Sequence, residues 1–161
     1  MTAGELAFLV DAQRRSYARA SRSLQGSWPE DALLDPTAIT QLIARVRYGT
    51  LATASADGRA QATPVSYVVT RERLWFATVA GARLRNCRAN PWASFLLMSD
   101  DEGRHVALRV EGAVTVHGRT SLQDAAPDFD QRWKLRHGGD APTWAAAFLE
   151  LAPDVVHSYG A

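Results

Sequence analysis

The sequence predicts an α+β domain built on one antiparallel, barrel-like sheet of about six strands with flanking helices. Three observations carry this. The hydrophobic period is near that of a helix up to residue 48 and changes to two from Thr50. Asp57-Gly58 sits between two alternating runs, a strong hairpin signal. The later strands mostly follow one another by short turns, with helical stretches only at the start and around the middle.

The chain has 161 residues, close to one domain, and 47% are hydrophobic, enough for a core. Its 22% charged residues balance to +1, which is not a self-repelling, disordered composition. With 18 basic against 17 acidic residues there is no strong field for nucleic acid. Apolar runs such as Phe95 to Met98 and Ala145 to Leu149 are too short to span a bilayer. Glu5 and Asp11 argue against a signal peptide. A single cysteine, Cys87, excludes an internal disulfide or a cysteine-rich zinc site and fits a reducing cytoplasm. Lys134 is the one lysine among many arginines, which reflects base composition more than function.

Along the chain, Leu6, Leu9, Val10, Gln13 and Tyr17 fall near one face of a helix. A loop is expected through Gly26, Pro29 and Glu30. Asp35 can cap a second helix, Pro36 suits its first position, and Ile39, Leu42, Ile43 and Val46 follow at helical spacing. Gly49 can end it. Strands are expected over 50–55, 60–69, 74–78, 92–98 and 105–117. Pro64 places its part of the second strand at an edge or a bulge. Gly112 in mid-strand implies a bulge or a close backbone approach. Residues 82–89 read as a short helix closed by Asn90-Pro91. Ser99 to Arg104 reads as a charged turn. Ser121 to Arg136 reads as helical, and 148–151 and 155–159 as short strands broken at Pro153.

Dinucleotide, Walker-loop and nucleophile-elbow motifs are absent. His105 and His117 share a strand face, but twelve residues at about 3.3 Å each cannot meet at one metal. His137 and His157 have no spaced partner, so no metal site is assigned. Cys87 lies beside Arg85 and Arg88, which favours its thiolate, yet it reads more simply as a half-buried helix residue. The five tryptophans are mostly core, with one available to stack on a planar ligand.

One constellation carries chemistry. A strand ends in Phe76-Ala77-Thr78, a small-residue loop follows over 79–82, and a helix begins with Arg83, Arg85, Asn86 and Arg88. A hydroxyl, free N–H groups and an arginine at a helix start suit a phosphate. The same residues also fit an ordinary strand-to-helix turn with solvated arginines.

With these motifs in order, the sequence resembles the pyridoxamine 5′-phosphate oxidase-like split β-barrel proteins, which bind FMN or a deazaflavin. Tyr48 to Thr53 resembles the family's first strand. Asp57-Gly58-Arg59 with Gln61 to Val65 is similar to its hairpin and return strand. Leu74 to Thr78, then Arg83 to Asn86 and Asn90-Pro91, is similar to its cofactor-phosphate segment. Val110-Glu111-Gly112 and the ending over 151–160 complete the resemblance. It implies a six-stranded split barrel over 41–161 and does not account for the helical extension over 1–40. It implies that Thr78 and Arg83 hold the cofactor phosphate, with Asn86 bracing the turn. Gln61, Thr63, Pro64 and Val65 would line the isoalloxazine ring. It further implies a homodimer with cofactor sites at the interface, where Met98 or a tryptophan supplies a contact in trans. Arg83 stands where the family often has lysine, Gly81 or Ala82 replaces a second basic residue, and Cys87 replaces a leucine. The expected function is a cytoplasmic oxidoreductase moving a hydride to or from a small substrate, with no catalytic residue named. The alternatives are a cofactor carrier without turnover and a haem binder using His157.

Overall fold

Helix gives way to sheet where the hydrophobic period changes. The structure, a computed structural model, describes residue 2, residues 4–101 and residues 103–160. Glu102, in the expected charged turn, lies outside the described residues. Helix α1 (Ala7–Arg19) follows a 3-10 turn and buries Leu9, Val10, Ala12, Gln13 and Ser16. The expected loop after it is partly helical: α2 (Arg22–Ser27) includes Gly26, and a 3-10 turn covers Glu30–Ala32. Ser21 accounts for α2, since its hydroxyl accepts the Leu24 N–H at 3.2 Å and offsets the glycine. Helix α3 (Pro36–Arg45) starts as its sequence dictates, with the Asp35 carboxylate accepting the Ala38 N–H at 2.7 Å. It ends at Val46, not at Gly49. Gly49 lies inside the first strand, where a Cβ would meet the Phe95 ring at 2.4 Å and the Leu96 carbonyl oxygen at 2.8 Å.

The strands are β1 (Tyr48–Ala54), β2 (Ala60–Ser66), β3 (Val68–Thr70), β4 (Arg73–Thr78), β5 (Trp92–Asp101), β6 (Arg104–His117) and β7 (Ala147–Gly160). They form one sheet in the order β2-β1-β5-β6-β7-β4-β3, with every pair antiparallel. The α+β split-barrel class holds, with seven strands instead of six. The expected strand over 60–69 breaks at Tyr67, and its halves join opposite edges of the sheet. One residue links the two edges, so the sheet must curl until they approach. Tyr67 fixes that corner. It is fully buried, meets Phe95 edge-on at 4.9 Å and donates its hydroxyl hydrogen to the Val46 carbonyl at 2.9 Å. Pro64 lies on the edge strand β2, where a missing N–H is tolerated.

The expected pair of terminal strands is one continuous β7. Pro153 is absorbed opposite Gly112, at a shift in the β6–β7 register. Gly112 is required there, because a Cβ would lie 1.8 Å from the Ala152 carbonyl oxygen. The expected helix over 121–136 is two, α5 (Arg119–Ala125) and α6 (Phe129–His137), interrupted around Pro127. Between β4 and β5 lies α4 (Ala82–Ala89), with its expected bounds.

Alternation along β4 and β7 divides the core in two. Leu74, Phe76, Leu149 and Leu151 face the barrel interior with Leu51, Phe95, Leu108 and Val110. Leu6, Leu9, Ile39 and Leu42 belong to this same cluster, so the segment before residue 41 packs into the barrel's own core. Trp75, Ala77 and Phe148 face outward and are covered by Leu122, Phe129 and Trp133 of α5 and α6. No described helix is long and apolar enough to cross a membrane.

Candidate functional site

The turn from β4 into α4 is built from small residues. Gly81 stands at the helix N-cap in extended conformation and supplies no side-chain cap, and the first turn holds no acidic residue. The first N–H groups of α4 therefore lack intrahelical acceptors and carry the positive end of the helix dipole. Arg83, in that turn, reaches across to β2. Its Nε and Nη2 donate to the Thr63 hydroxyl at 3.1 and 2.9 Å. Burial lowers the pKa of Arg83, yet a guanidinium stays protonated in water at any ordinary pH. Cys87 beneath it is buried, and that burial pushes its thiol pKa up. Arg85 and Arg88 are exposed.

Asn86 ties α4 to the β1–β2 hairpin. Its Nδ2 donates to the Thr53 hydroxyl at 3.0 Å and to the Gln61 side-chain carbonyl at 2.8 Å. Asn90 adds a second clamp, donating to the carbonyls of Ala54 at 3.1 Å and Ser55 at 2.7 Å. Helix and hairpin are thus held in register beside the loop over 79–81.

A cavity of about 380 Å³ opens between these elements. Pro64, Val65 and Ser66 of β2, Ala77 and Val79, Arg83, Tyr48, Trp133 and Trp144 line it. Of the residues expected from sequence, Pro64, Val65 and Arg83 line the cavity directly. Thr63 joins through Arg83, and Gln61 through Asn86. Thr78 is only 1% exposed, and its hydroxyl donates to the Val79 carbonyl at 3.3 Å instead of lining the cavity. Tyr48, Ser66, Trp133 and Trp144 were not singled out as site residues by the sequence. Trp144 had a usable signal: a large aromatic in a polar, proline-containing loop has no periodic reason to be there.

A second groove of about 220 Å³ adjoins it and shares Tyr48 and Pro64, with Leu96 and Met98 on its other wall. Around the two, Tyr48, Val79, Met98 and Trp144 are each more than half exposed, an apolar face beside the free edge of β2. The only ionisable side chains lining the 380 Å³ cavity, among the described residues, are Arg83 and Tyr48.

His157 lies apart from this cavity's lining. It is buried, its Nδ1 is 3.2 Å from Arg109 Nη2, and its Nε2 is buried with no hydrogen-bond partner. Trp28 meets the ring edge-on at 6.2 Å. Burial and then the Arg109 charge lower its pKa, so the ring is neutral at pH 7. Of the other histidines, His117 pairs with Glu150 at 2.7 Å and His137 with the Tyr67 carbonyl at 3.1 Å. No cluster of histidine, cysteine and acidic side chains with metal-holding geometry occurs among the described residues.

A family model described as pyridoxamine 5′-phosphate oxidase matches residues 36–158. No curated protein matches the chain. Among solved structures, an FAD-binding protein from Mesorhizobium loti superposes with a TM-score of 0.63 at 20% identity, covering 80% of this chain and 96% of that one. A pyridoxamine 5′-phosphate oxidase-related, FMN-binding protein from Nostoc punctiforme gives 0.59 at 21%, covering 78% and 84%. The haem storage protein HutZ from Vibrio cholerae gives 0.58 at 18%, covering 79% and 95%. At these identities the likeness is one of fold.

Proposed function

Because the chain belongs to the pyridoxamine 5′-phosphate oxidase family, we propose that the cavity between β2 and α4 binds FMN and supports hydride transfer to or from a small substrate. The observation that carries this is Arg83. It is a half-buried guanidinium whose hydrogen-bond partner among the described residues is only a neutral hydroxyl, and it stands in the first turn of an uncapped helix. That donor set suits a phosphate monoester. Arg83 and the first N–H groups of α4 hold the phosphate, and Asn86 keeps the hairpin seated on the helix. Pro64 and Val65 run beside the ring, while Trp133 and Trp144 wall it from water. Thr78 supports the loop from below.

The flavin, when bound, supplies the hydride chemistry. The chain's part is to orient the ring and set the charge around it. A deazaflavin coenzyme carries a phosphate that suits the same donors and is the alternative cofactor. A second copy of the chain would cover the apolar face at Tyr48, Val79, Met98 and Trp144, with Met98 contacting the ring in trans. The setting proposed is the cytoplasm, where a lone buried cysteine stays reduced.

A second reading, binding without turnover, is favoured by the absence of carboxylate, histidine, lysine or cysteine among the described cavity lining. Haem binding through His157 belongs to it. It requires Trp28 to move aside, and a His157→Ala variant that kept full haem affinity would exclude it. The experiment is to titrate the full chain with FMN and with the deazaflavin by fluorescence, then reduce the complex and add electron acceptors. Saturable binding with acceptor-dependent reoxidation supports the oxidoreductase. Binding with no acceptor dependence supports the carrier. Gel filtration of the holoprotein as a monomer counts against the shared site.

A further inference from the structure

Arg136 lies on α6, and its guanidinium covers the Tyr67 ring at 4.1 Å. Nη2 donates to the carbonyls of Ile43 and Val46 at 2.8 and 2.7 Å, closing the C-terminal end of α3. These acceptors are neutral. Nε is buried with no hydrogen-bond partner. Burial lowers the Arg136 pKa, and the nearby Arg47 charge acts in the same direction. Arg47 itself is exposed and forms no ion pair among the described residues. Two guanidinium groups therefore border the same space, and neither has an ion-pair partner among the described residues. This is unusual, because partly buried charges are normally paired.

Both arginines line one cavity of about 240 Å³, set between the end of α3, β3 and α6. Val68, Val69 and Leu135 supply an apolar wall, and Leu135 is 77% exposed at its lip. Arg132 also lines it but is already neutralised, by Glu5 at 2.6 Å and Asp128 at 3.2 Å. The cavity lies beside α6, whose Trp133 lines the proposed flavin cavity, but the two cavities share no lining residue.

We infer that this cavity is a second binding site, for a small organic anion: an apolar body bearing one carboxylate or phosphate, held by Arg47 and Arg136. Guanidinium forks match paired oxygens of a carboxylate or phosphate, and the valines and Leu135 accept the apolar part. Nothing in the phosphate site at Arg83 is needed for it.

The test is an amide-resolved NMR titration of the full chain with phenyl phosphate, benzoate and inorganic phosphate. It is repeated in Arg47→Ala, Arg136→Gln and Arg83→Ala. Arg47→Ala removes one cation without touching a structural hydrogen bond, and Arg136→Gln keeps an amide donor for the α3 carbonyls. Saturable shifts at 44–47, 68–69 and 132–136 are expected with phenyl phosphate or benzoate. The dissociation constant should rise about tenfold in Arg47→Ala, the loss of one charge-assisted contact. It should be unchanged in Arg83→Ala. The inference is overturned by shifts confined to 81–86, by no saturable shift, or by equal affinity in wild type and Arg47→Ala. Inorganic phosphate binding as tightly as phenyl phosphate would overturn the apolar part of the assignment.

Discussion

Removing the Asn86 side chain should loosen the fold and the cofactor site together. Its Nδ2 makes two hydrogen bonds, to Thr53 at 3.0 Å and Gln61 at 2.8 Å, and the residue is 5% exposed. Each such bond contributes about 1 kcal/mol net, so Asn86→Ala should cost about 2 kcal/mol. With a urea m-value of about 2 kcal/mol per molar for a chain this size, the midpoint should fall by about 1 M. The m-value should not change, since the fold stays cooperative. Asn86→Asp keeps the shape but buries a carboxylate beside Thr53 and Gln61, which must both turn to donate to it. It should be at least as damaging, and its charge should also repel a phosphate at α4. A double-mutant cycle of Asn86→Ala with Gln61→Ala should show a coupling of about 1 kcal/mol. A urea midpoint for Asn86→Ala within error of wild type, or a coupling near zero, would refute the claim that this amide seats the hairpin on the helix.

Other outcomes follow from the same geometry. Gly112→Ala should cost about 3 kcal/mol or more, because backbone at the bulge must move to admit the Cβ, and thermal denaturation will read it. Trp144→Ala should change stability by less than about 0.5 kcal/mol, as exposed residues do, while weakening FMN binding and reducing the quenching of protein fluorescence by it. Burial lowers the pKa of both His157 and His137 below 6.5. The unfolded chain then takes up protons first, so stability is complete above pH 6.5 and declines as pH falls through the folded-state values. His157→Gln should flatten that decline by at most about 1.4 kcal/mol per pH unit, measured by urea titrations between neutral pH and pH 5.

The parts legible in the sequence are those governed by local chemistry. Asp35-Pro36 starts α3, Asp57-Gly58 turns the first hairpin, and Gly112 marks the bulge, each because the residue type has few other uses. The parts that were not legible depend on long-range geometry. No local feature says that Val65 and Val68 belong to opposite edges of one sheet. That is decided by Tyr67 burying its ring against Phe95 and finding Val46 with its hydroxyl. Likewise Pro153 looks like a strand end until Gly112, 41 positions earlier, is seen to make room for it. At the site, the residues on β2 and α4 could be read because they lie in contiguous motifs. Tyr48 and the two tryptophans come from separate elements that only the curl of the sheet and the packing of α6 bring to the cavity.

In the proposed flavin site, Arg83 and the start of α4 recognise the cofactor's phosphate. The most direct measurement compares FMN with riboflavin, which lacks that phosphate, on wild type and on Arg83→Ala. A charge-assisted contact contributes about 1.5–3 kcal/mol, so FMN affinity should fall by roughly 10- to 150-fold in the variant. Riboflavin affinity should be weak in both proteins and equal between them. Equal binding of FMN and riboflavin by wild type, or an FMN affinity untouched by Arg83→Ala, would contradict the phosphate site.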